Sequence, residues 1–493
     1  MVISRRGLMA SSAAGAGIAV TGSFPSLAEA RPRFAATPSG PHRPFPPLVD
    51  DPEGILALPA GFSYKILTRA GETALETGGS CPGSHDGAGA FGHGRRQYLI
   101  LNHECDAGDP LGVPHLPGTV YDPGATGGGG CTVVRTDGKG NNRGQYVGIS
   151  GTIANCAGGP TPWGTWWTCE EATARAGEDW ENEDSGATGV YEKDHGYVFE
   201  VFGDGRARPK PLKALGRYDH EACAISADRQ FVFLSEDADE PNGLFYRWEG
   251  PPRFRIGPDT VAKLSSASFG RLAAMAILLD DGSVLPDVAY LTSAQLGRPF
   301  RVTWVKVPDR DATEVDVREQ FADGEVTGGR KFEGVWGTEQ GVYVVNSYAL
   351  EKGEDLPVDA VPHSGMVWFY SYADQTIQLV NYFPYQQHVH EETFEPAYPD
   401  LYFDSPDNVT VTPWGSLVLA EDGVGASHVL SSVPGGPSCA IARNMINVGD
   451  DAEPEYSEFT GPTFSADGKV LYVNIQDPGL TIAIDGPWGK YLG

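Results

Sequence analysis

The sequence predicts an all-β chain folded as a six-bladed β-propeller with long inter-strand insertions, and three observations predict it. Short apolar runs are bounded by Gly, Pro, Asp and Asn throughout, with 64 Gly and 38 Pro among 493 residues and no collagen period. A hairpin-sized unit recurs along the chain. Acidic residues keep landing at the ends of apolar strands: LNHE at Glu104, WTCEE at Glu170 and Glu171, LSED at Glu236 and Asp237, and VLAED at Glu421 and Asp422. Helical periodicity is scarce; a helix is expected at Phe269–Leu279 and a weaker one at Ser293–Leu296.

The recurring unit reads polar residue, strand, tight turn, strand, polar residue. Asn155-Cys156 precedes the turn Thr161-Pro162-Trp163-Gly164, the strand Thr165–Thr168 and Glu170. Asp407-Asn408 precedes Thr412-Pro413-Trp414-Gly415, the strand Ser416–Leu419 and Glu421 at the same offset. His220-Glu221 leads through Ser226-Ala227-Asp228 to Phe231–Leu234 and Glu236. Phe332-Glu333 leads through Thr338–Gly341 to Val342–Val345 and Asn346, and Glu458-Phe459 leads through Ser465–Gly468 to Val470–Val473 and Asn474. A weaker copy runs from His85-Asp86 to Tyr98–Leu101 and Glu104. Each is a β-hairpin whose open ends carry polar groups on one side. About six of them imply radial repetition, in which corresponding strand ends meet at one mouth of a central channel. In the competing architecture, a pair of β-sandwich domains, the same acids scatter over loops.

On the propeller reading the ring holds Glu104, Cys156, Glu221, Glu236, Asp237, Glu333, Asp407, Asn408, Glu421, Asp422 and Asn474. A lone strand-end acid ordinarily caps a turn; the repeated register is what lifts these above that role. So many carboxylates cannot all ionise together without cations. Hard oxygen donors suit Ca²⁺ or Mg²⁺, and a thiolate among them points to a redox-active or borderline metal such as iron. Cys156 also reads as a buried thiol or a disulfide partner of Cys169. His103 and His220 read as hydrogen-bonded core residues, and Trp163, Trp166, Trp167 and Trp414 as packing. Arg330-Lys331, just before Glu333, is a basic pair able to hold an anionic group, with phosphate the natural candidate. No HExxH, P-loop or nucleophile elbow occurs, so classical nucleophilic catalysis has no support.

Ser4-Arg5-Arg6-Gly7-Leu8-Met9, a mild Ala/Gly-rich stretch and Leu27-Ala28-Glu29-Ala30 together read as a twin-arginine (Tat) export signal, residues 1–30. Export is therefore expected through the Tat machinery, to the periplasm or the extracellular space. Residues 31–47 read as a Pro-rich extended segment and 48–493 as one propeller domain. A net charge of −29 argues against nucleic-acid binding, and no apolar run of the mature region is long enough to span a membrane. A monomer is expected. The seven cysteines leave at least one unpaired.

At NCAGGPTPWGTWWTCEE (Asn155–Glu171), NHE (Asn102–Glu104), DHEA (Asp219–Ala222), SEDADEPNGLFYRW (Ser235–Trp248), DSPDN and PWGSLVLAEDG (Asp404–Gly423), and FSADGKVLYVNIQDPGLTIAIDGPW (Phe464–Trp488), the chain resembles the PhoX family of bacterial alkaline phosphatases. The resemblance implies a six-bladed propeller that hydrolyses phosphate monoesters with an iron (Fe³⁺) and calcium (Ca²⁺) cofactor. It places iron on Cys156 and matches the family's metal-binding carboxylates to Glu104, Glu221, Asp237, Glu333, Asp407 and Glu421. The family's phosphate-contacting arginine, two residues before the glutamate matching Glu333, is replaced here by Lys331, with Arg330 one residue earlier. The function expected is an exported phosphomonoesterase in which metal ions supply an oxide or hydroxide nucleophile, with Lys331 or Arg330 holding the phosphate. The alternatives are a calcium-dependent propeller lactonase and a non-catalytic calcium-stabilised binding propeller.

Overall fold

A computed structural model describes residues 43–93, 96–238, 242–347, 363–384, 400, 402–423, 425–449 and 454–492. Residues 1–30, expected to be an export signal, and residues 31–42 of the expected Pro-rich segment lie outside the described residues. From Leu48 onward the chain is all-β and propeller-like, built from antiparallel meanders.

The first meander is His85–His93, Arg96–His103, Gly129–Thr136 and Asn142–Thr152. Next come Asn155–Pro160, Trp166–Glu170 and Val198–Val201. His220–Ile225, Phe231–Glu236, Gly243–Glu249, Arg271–Leu278 and Pro299–Lys306 follow. The last of these strands pairs with Thr376–Pro384, so that this meander and the one formed by Phe332–Gly337, Gly341–Asn346 and His363–Ser371 share a continuous sheet. Pro406–Val411, Leu417–Glu421, His428–Ser432 and Ser438–Asn444 take Leu56–Pro59 as an added strand. The C-terminal meander, Phe459–Phe464, Val470–Ile475 and Leu480–Asp485, is completed by Ser63–Arg69 from the other end of the chain.

Alternate side chains of each strand enter different cores, as the period of two requires. Trp166 packs with Phe91, Ile100 and Val133 of the preceding meander, while Trp167 packs with Leu234, Tyr246 and Trp248 of the following one. Leu417 and Leu419 face Tyr343 and Val345, whereas Val418 faces Leu471 and Val473. Val470 and Tyr472 in turn pack on Ala88, Leu99 and Leu101 of the first meander. Sheets buried on both faces explain why the strands read as near-continuous apolar runs. The strand that opens each hairpin lies beside the next in cyclic order: His85–His93, Asn155–Pro160, His220–Ile225, Phe332–Gly337, Pro406–Val411, Phe459–Phe464 and back to the first.

The helix expected at Phe269–Leu279 is instead the strand Arg271–Leu278, buried between Gly243–Glu249 and Pro299–Lys306. An unbroken apolar run such as LAAMAIL has no period of its own, so burial on both faces satisfies it equally well as strand. Ser293–Gln295 is one 3₁₀ turn, capped by the Thr292 side chain. All seven cysteines are free thiols, so Cys156 and Cys169 are not joined.

Candidate metal centre

The site is made by a repeated break in strand pairing. In the opening strand of every hairpin the register shifts, between His85 and Ala88, Asn155 and Gly158, His220 and Cys223, Phe332 and Val335, Pro406 and Val409, and Thr460 and Thr463. A β-bulge turns a side chain out of the sheet's alternation. The residues that begin these bulges are Asp86, Cys156, Glu221, Glu333, Asp407 and Gly461. The next bulge residue must be small where neighbouring strands converge: a Cβ on Gly87 would lie 2.6 Å from Ala157 Cα, and one on Gly334 2.7 Å from Val409 N.

A second device fixes the outgoing strand ends. Ser84, Ala154, Lys331 and Ser405 adopt left-handed backbone conformations (φ 42°, 41°, 58° and 35°) immediately before four of the opening strands. Their carbonyls accept hydrogen bonds from the backbone N–H groups of Glu104, Glu171, Ser347 and Asp422, at 2.8, 2.9, 3.1 and 3.0 Å. Non-glycine residues held this way carry backbone strain of the kind that clusters at functional sites.

Ligand-type atoms come within 4.8 Å of one another in three overlapping groups: Asp86, Glu104 and Cys156; Cys156, Glu171 and Glu221; and Glu221, Glu333 and Asp407. At an effective dielectric of ~20, two unit negative charges at that spacing repel by roughly 3–4 kcal/mol. Burial and these neighbours hold protons on. Burial first, then Asp407 and Glu333, pushes Glu221 well above the usual carboxylate range, and burial with Glu333 and Asp86 does the same to Asp407. Asp86 rises to about 6, chiefly through burial, and Glu333 to about 7 through burial and Asp237. The Cys156 thiol is raised well above its ordinary value by burial, Asp86 and Glu221. Asp237 Oδ1 is buried with no hydrogen-bond partner.

A carboxyl whose pKa is higher folded than unfolded favours folding below the unfolded value and loses that contribution as pH rises through the folded one. Metal-free protein is therefore expected to lose thermal stability as pH rises from about 4 to 7, the window set by Asp86 and Glu333. Saturating calcium is expected to flatten that slope, since cations replace the protons. Melting curves at stepped pH, with chelator and with calcium, measure both.

The residues expected from the sequence separate into two sets. Glu104, Cys156, Glu221, Glu333 and Asp407 fall within the three groups. Asp237 stands beside them, with Oδ2 3.2 Å from Lys331 Nζ, which also lies 3.4 Å from Glu333 Oε1. The Lys331 side chain is 34% exposed, and its ammonium touches both carboxylates. Asp237 and Glu333 hold it well above its ordinary pKa. Arg330 offers its backbone carbonyl to Asn346 Nδ2. Asn408 donates to Asp407 Oδ1 at 3.1 Å and accepts from Gly461 N at 2.7 Å, and Asn474 Nδ2 donates to the carbonyl of Asp86. His103 and His220 are core residues, bonded to Gly83 O and Thr132 Oγ1, and to Gly216 O.

Glu421 belongs to the other set. Its carboxylate accepts from the backbone N–H groups of Asp404 and His428 (2.9 and 3.0 Å) and from His428 Nδ1 (2.8 Å), and it joins none of the three groups. Glu236 is likewise occupied, by Tyr246 Oη at 2.5 Å and Leu244 N at 3.2 Å. The next residue, Asp422, is the one that acts on Lys331, Asp407 and Glu458. Asp86, Glu171 and Glu458 were outside the expected ring. Their signal was present: Asp86 aligns with Cys156 one position after each strand begins, and Glu171 aligns with Glu104 after each strand ends. Glu458 lies just before the last opening strand, with its pKa raised well above normal by burial, Asp422 and Asp407.

The family model for the alkaline phosphatase PhoX matches residues 43–479. No curated protein sequence matches the chain. Among solved structures it is similar to Pseudomonas fluorescens PhoX in complex with vanadate, a transition state analogue, at 18% identity and a TM-score of 0.59, covering 92% of this chain and 98% of that one. Weaker likenesses reach the PQQ domain of pyranose dehydrogenase from Coprinopsis cinerea (10% identity, TM-score 0.37, 92% and 100% covered). They also reach XC5397 of Xanthomonas campestris, a gluconolactonase (12% identity, TM-score 0.32, 93% and 99% covered). The first likeness supports the fold, and the other two carry no argument. With the family model spanning residues 43–479, across all six bulged strands, the chain belongs to the alkaline phosphatase PhoX family.

Proposed function

We propose that this protein is an exported, metal-dependent phosphomonoesterase whose 48–493 segment forms one six-bladed propeller around an iron–calcium centre. The observation that carries it is the set of three overlapping ligand groups, sharing Cys156 and Glu221, beside the ammonium of the partly exposed Lys331 side chain in a PhoX-family chain. The blade count is supported by the cyclic order of the opening strands and by the packing cores between successive meanders.

The donor chemistry fits both metals. Cys156 with Glu171 and Glu221, and with Asp86 and Glu104, offers the thiolate-containing sets suited to iron; Glu221, Glu333 and Asp407 offer oxygens alone, suited to calcium. Bound cations neutralise the carboxylates and act as Lewis acids toward the phosphoryl group. Lys331 supplies the positive charge: held between Asp237 and Glu333, it is the ammonium this reading assigns to a non-bridging phosphate oxygen. Ser347 Oγ donates to Glu333 Oε1 at 2.6 Å and keeps that carboxylate oriented. No side-chain nucleophile is required.

Small-molecule phosphate monoesters are the substrates this reading assigns, and the P. fluorescens relative's complex with vanadate, a transition state analogue, is consistent with it. The Tat-type N-terminus supports export to the periplasm or beyond, and a monomer is the working assembly. No helix among the described residues is long and apolar enough to cross a membrane. A calcium-only lactonase is not favoured, because Cys156 sits in two of the three groups.

Metal analysis of the purified protein, paired with turnover of p-nitrophenyl phosphate, tests the assignment. Iron together with calcium, and turnover lost on chelation, are expected. Cys156→Ala is expected to lose iron while keeping the fold. Calcium without iron and no turnover would sink the proposal.

A further inference from the structure

Three of the six hairpins end in an acid doublet, Glu170-Glu171, Glu236-Asp237 and Glu421-Asp422, and in each the first carboxylate is paired with a buried or largely buried basic side chain. His195 lies between Glu170 Oε1, 2.6 Å from Nδ1, and Asp122 Oδ2, 3.0 Å from Nε2, with all three side chains fully buried. Arg318 Nη1 lies 3.3 Å from both Glu236 Oε1 and Asp219 Oδ2. His428 lies between Glu421 Oε2 at 2.8 Å and Asp400 Oδ1 at 3.4 Å. His195 hydrogen-bonds a carboxylate at each nitrogen, which an imidazole does only as the cation, whereas His428 hydrogen-bonds Glu421 through Nδ1 and faces Asp400 with an Nε2 that makes no hydrogen bond.

The agreement extends to the backbone. Glu170 Oε1 accepts from Ile153 N, and Glu421 Oε1 from Asp404 N. Ile153 and Asp404 each stand two residues before an opening strand, next to the left-handed Ala154 and Ser405. Glu170 and Glu421 thus bond the entry of their own hairpins, with the basic side chain behind each fixing the carboxylate plane, while Glu236 is held instead by Leu244 N and Tyr246 Oη of the next strand. The outer partners come from different places. Asp122 lies in the insertion between Arg96–His103 and Gly129–Thr136, and Asp219 immediately precedes the strand His220–Ile225. Arg318 belongs to the insertion that runs on into Arg330-Lys331.

We propose that His195, Arg318 and His428 are positioning residues of the metal centre: each locks the first acid of a doublet into the strand end so that the second, Glu171, Asp237 or Asp422, is presented to the bound cations. This rests on the metal-centre reading above. It also gives the two insertions a purpose, since they carry Asp122 and Arg318 to the strand ends. In the three hairpins without doublets, His103, Asn346 and Asn474 fill the corresponding strand-end position, with hydrogen bonds to Gly83 O, Arg330 O and Asp86 O.

The test is calcium affinity and metal content, independent of turnover, in full-length His195→Gln, Arg318→Met and His428→Gln proteins. Residues that orient metal ligands typically change affinity by about 10–100-fold when replaced, and a calcium midpoint weakened by about that factor is expected in each variant, measured calorimetrically on chelator-treated protein. Arg318→Lys keeps the cation and is expected to stay within about threefold of wild type. Should the buried histidine variants fail to fold, Asp219→Asn and Asp400→Asn weaken the same clamps from their more exposed side and are expected to shift the midpoint in the same direction. Lower melting temperatures with calcium midpoints within about twofold of wild type would overturn the proposal, as would equal losses in Arg318→Lys and Arg318→Met. Wild-type protein that takes up no metal would instead overturn the metal-centre reading itself.

Discussion

Replacing Glu221 with glutamine is expected to abolish phosphatase turnover while leaving the metal-free protein as stable as wild type or more so. Glu221 joins Cys156 and Glu171 in one ligand group and Glu333 and Asp407 in another, so no other carboxylate serves both. Losing it leaves two groups incomplete. If Lewis-acid stabilisation is worth about 4 kcal/mol, kcat/KM falls on the order of 10³-fold. The stability effect has the opposite sign, because without cations Glu221, buried against Asp407, Glu333 and Asp86, must take up a proton to fold, which costs stability above the ordinary carboxylate range. Glutamine keeps the shape and removes the charge. Steady-state kinetics and melting curves in chelator measure the two halves. Retained activity, or a large loss of metal-free stability, would contradict the shared-ligand role.

Lys331→Met is expected to lower kcat/KM by about 10²–10³-fold, the effect of deleting one preorganised donor to a developing anionic centre. Methionine preserves the unbranched stem and makes the same demand on the left-handed backbone at φ 58°, so the substitution isolates the charge. Lys331→Arg is expected to remain within about tenfold, since both carry the cation and differ in presenting a point charge or a planar fork. Asp237 and Glu333 flank Lys331 at 3.2 and 3.4 Å, and an arginine there must share its fork between them and the substrate. Activity of Lys331→Met within about twofold of wild type would remove Lys331 from the site.

The repeated hairpin was legible in the sequence because a bulge at a fixed place makes strand entry, turn and strand exit recur in register. Cys156, Glu221, Glu333 and Asp407 followed directly from it. The acid doublets were harder to read. Glu421 and Asp422 are chemically alike in a string of letters, and only the hydrogen bonds from Asp404 N and His428 show that the first is occupied. Asp86 is harder to reach from the sequence because GHGRR after Phe91 matches the turns of the other copies least. Glu458 precedes its strand instead of lying in it, so register could not reach it. The Arg271–Leu278 strand differs from the expected helix for another reason: a run buried on both faces erases the alternation that distinguishes strand from helix. His195, Arg318 and His428 come from positions with no repeat at all.

Anomalous diffraction from crystals of the metal-loaded protein, recorded on both sides of the iron edge, tests the central claim most directly. Iron density is expected at Cys156 Sγ, flanked by Glu171 and Glu221, with calcium among Glu221, Glu333 and Asp407 and with Glu421 still bonded to His428. Metal bound elsewhere, or a ring of bulged residues that stays empty in protein that turns over phosphate monoesters, would contradict it.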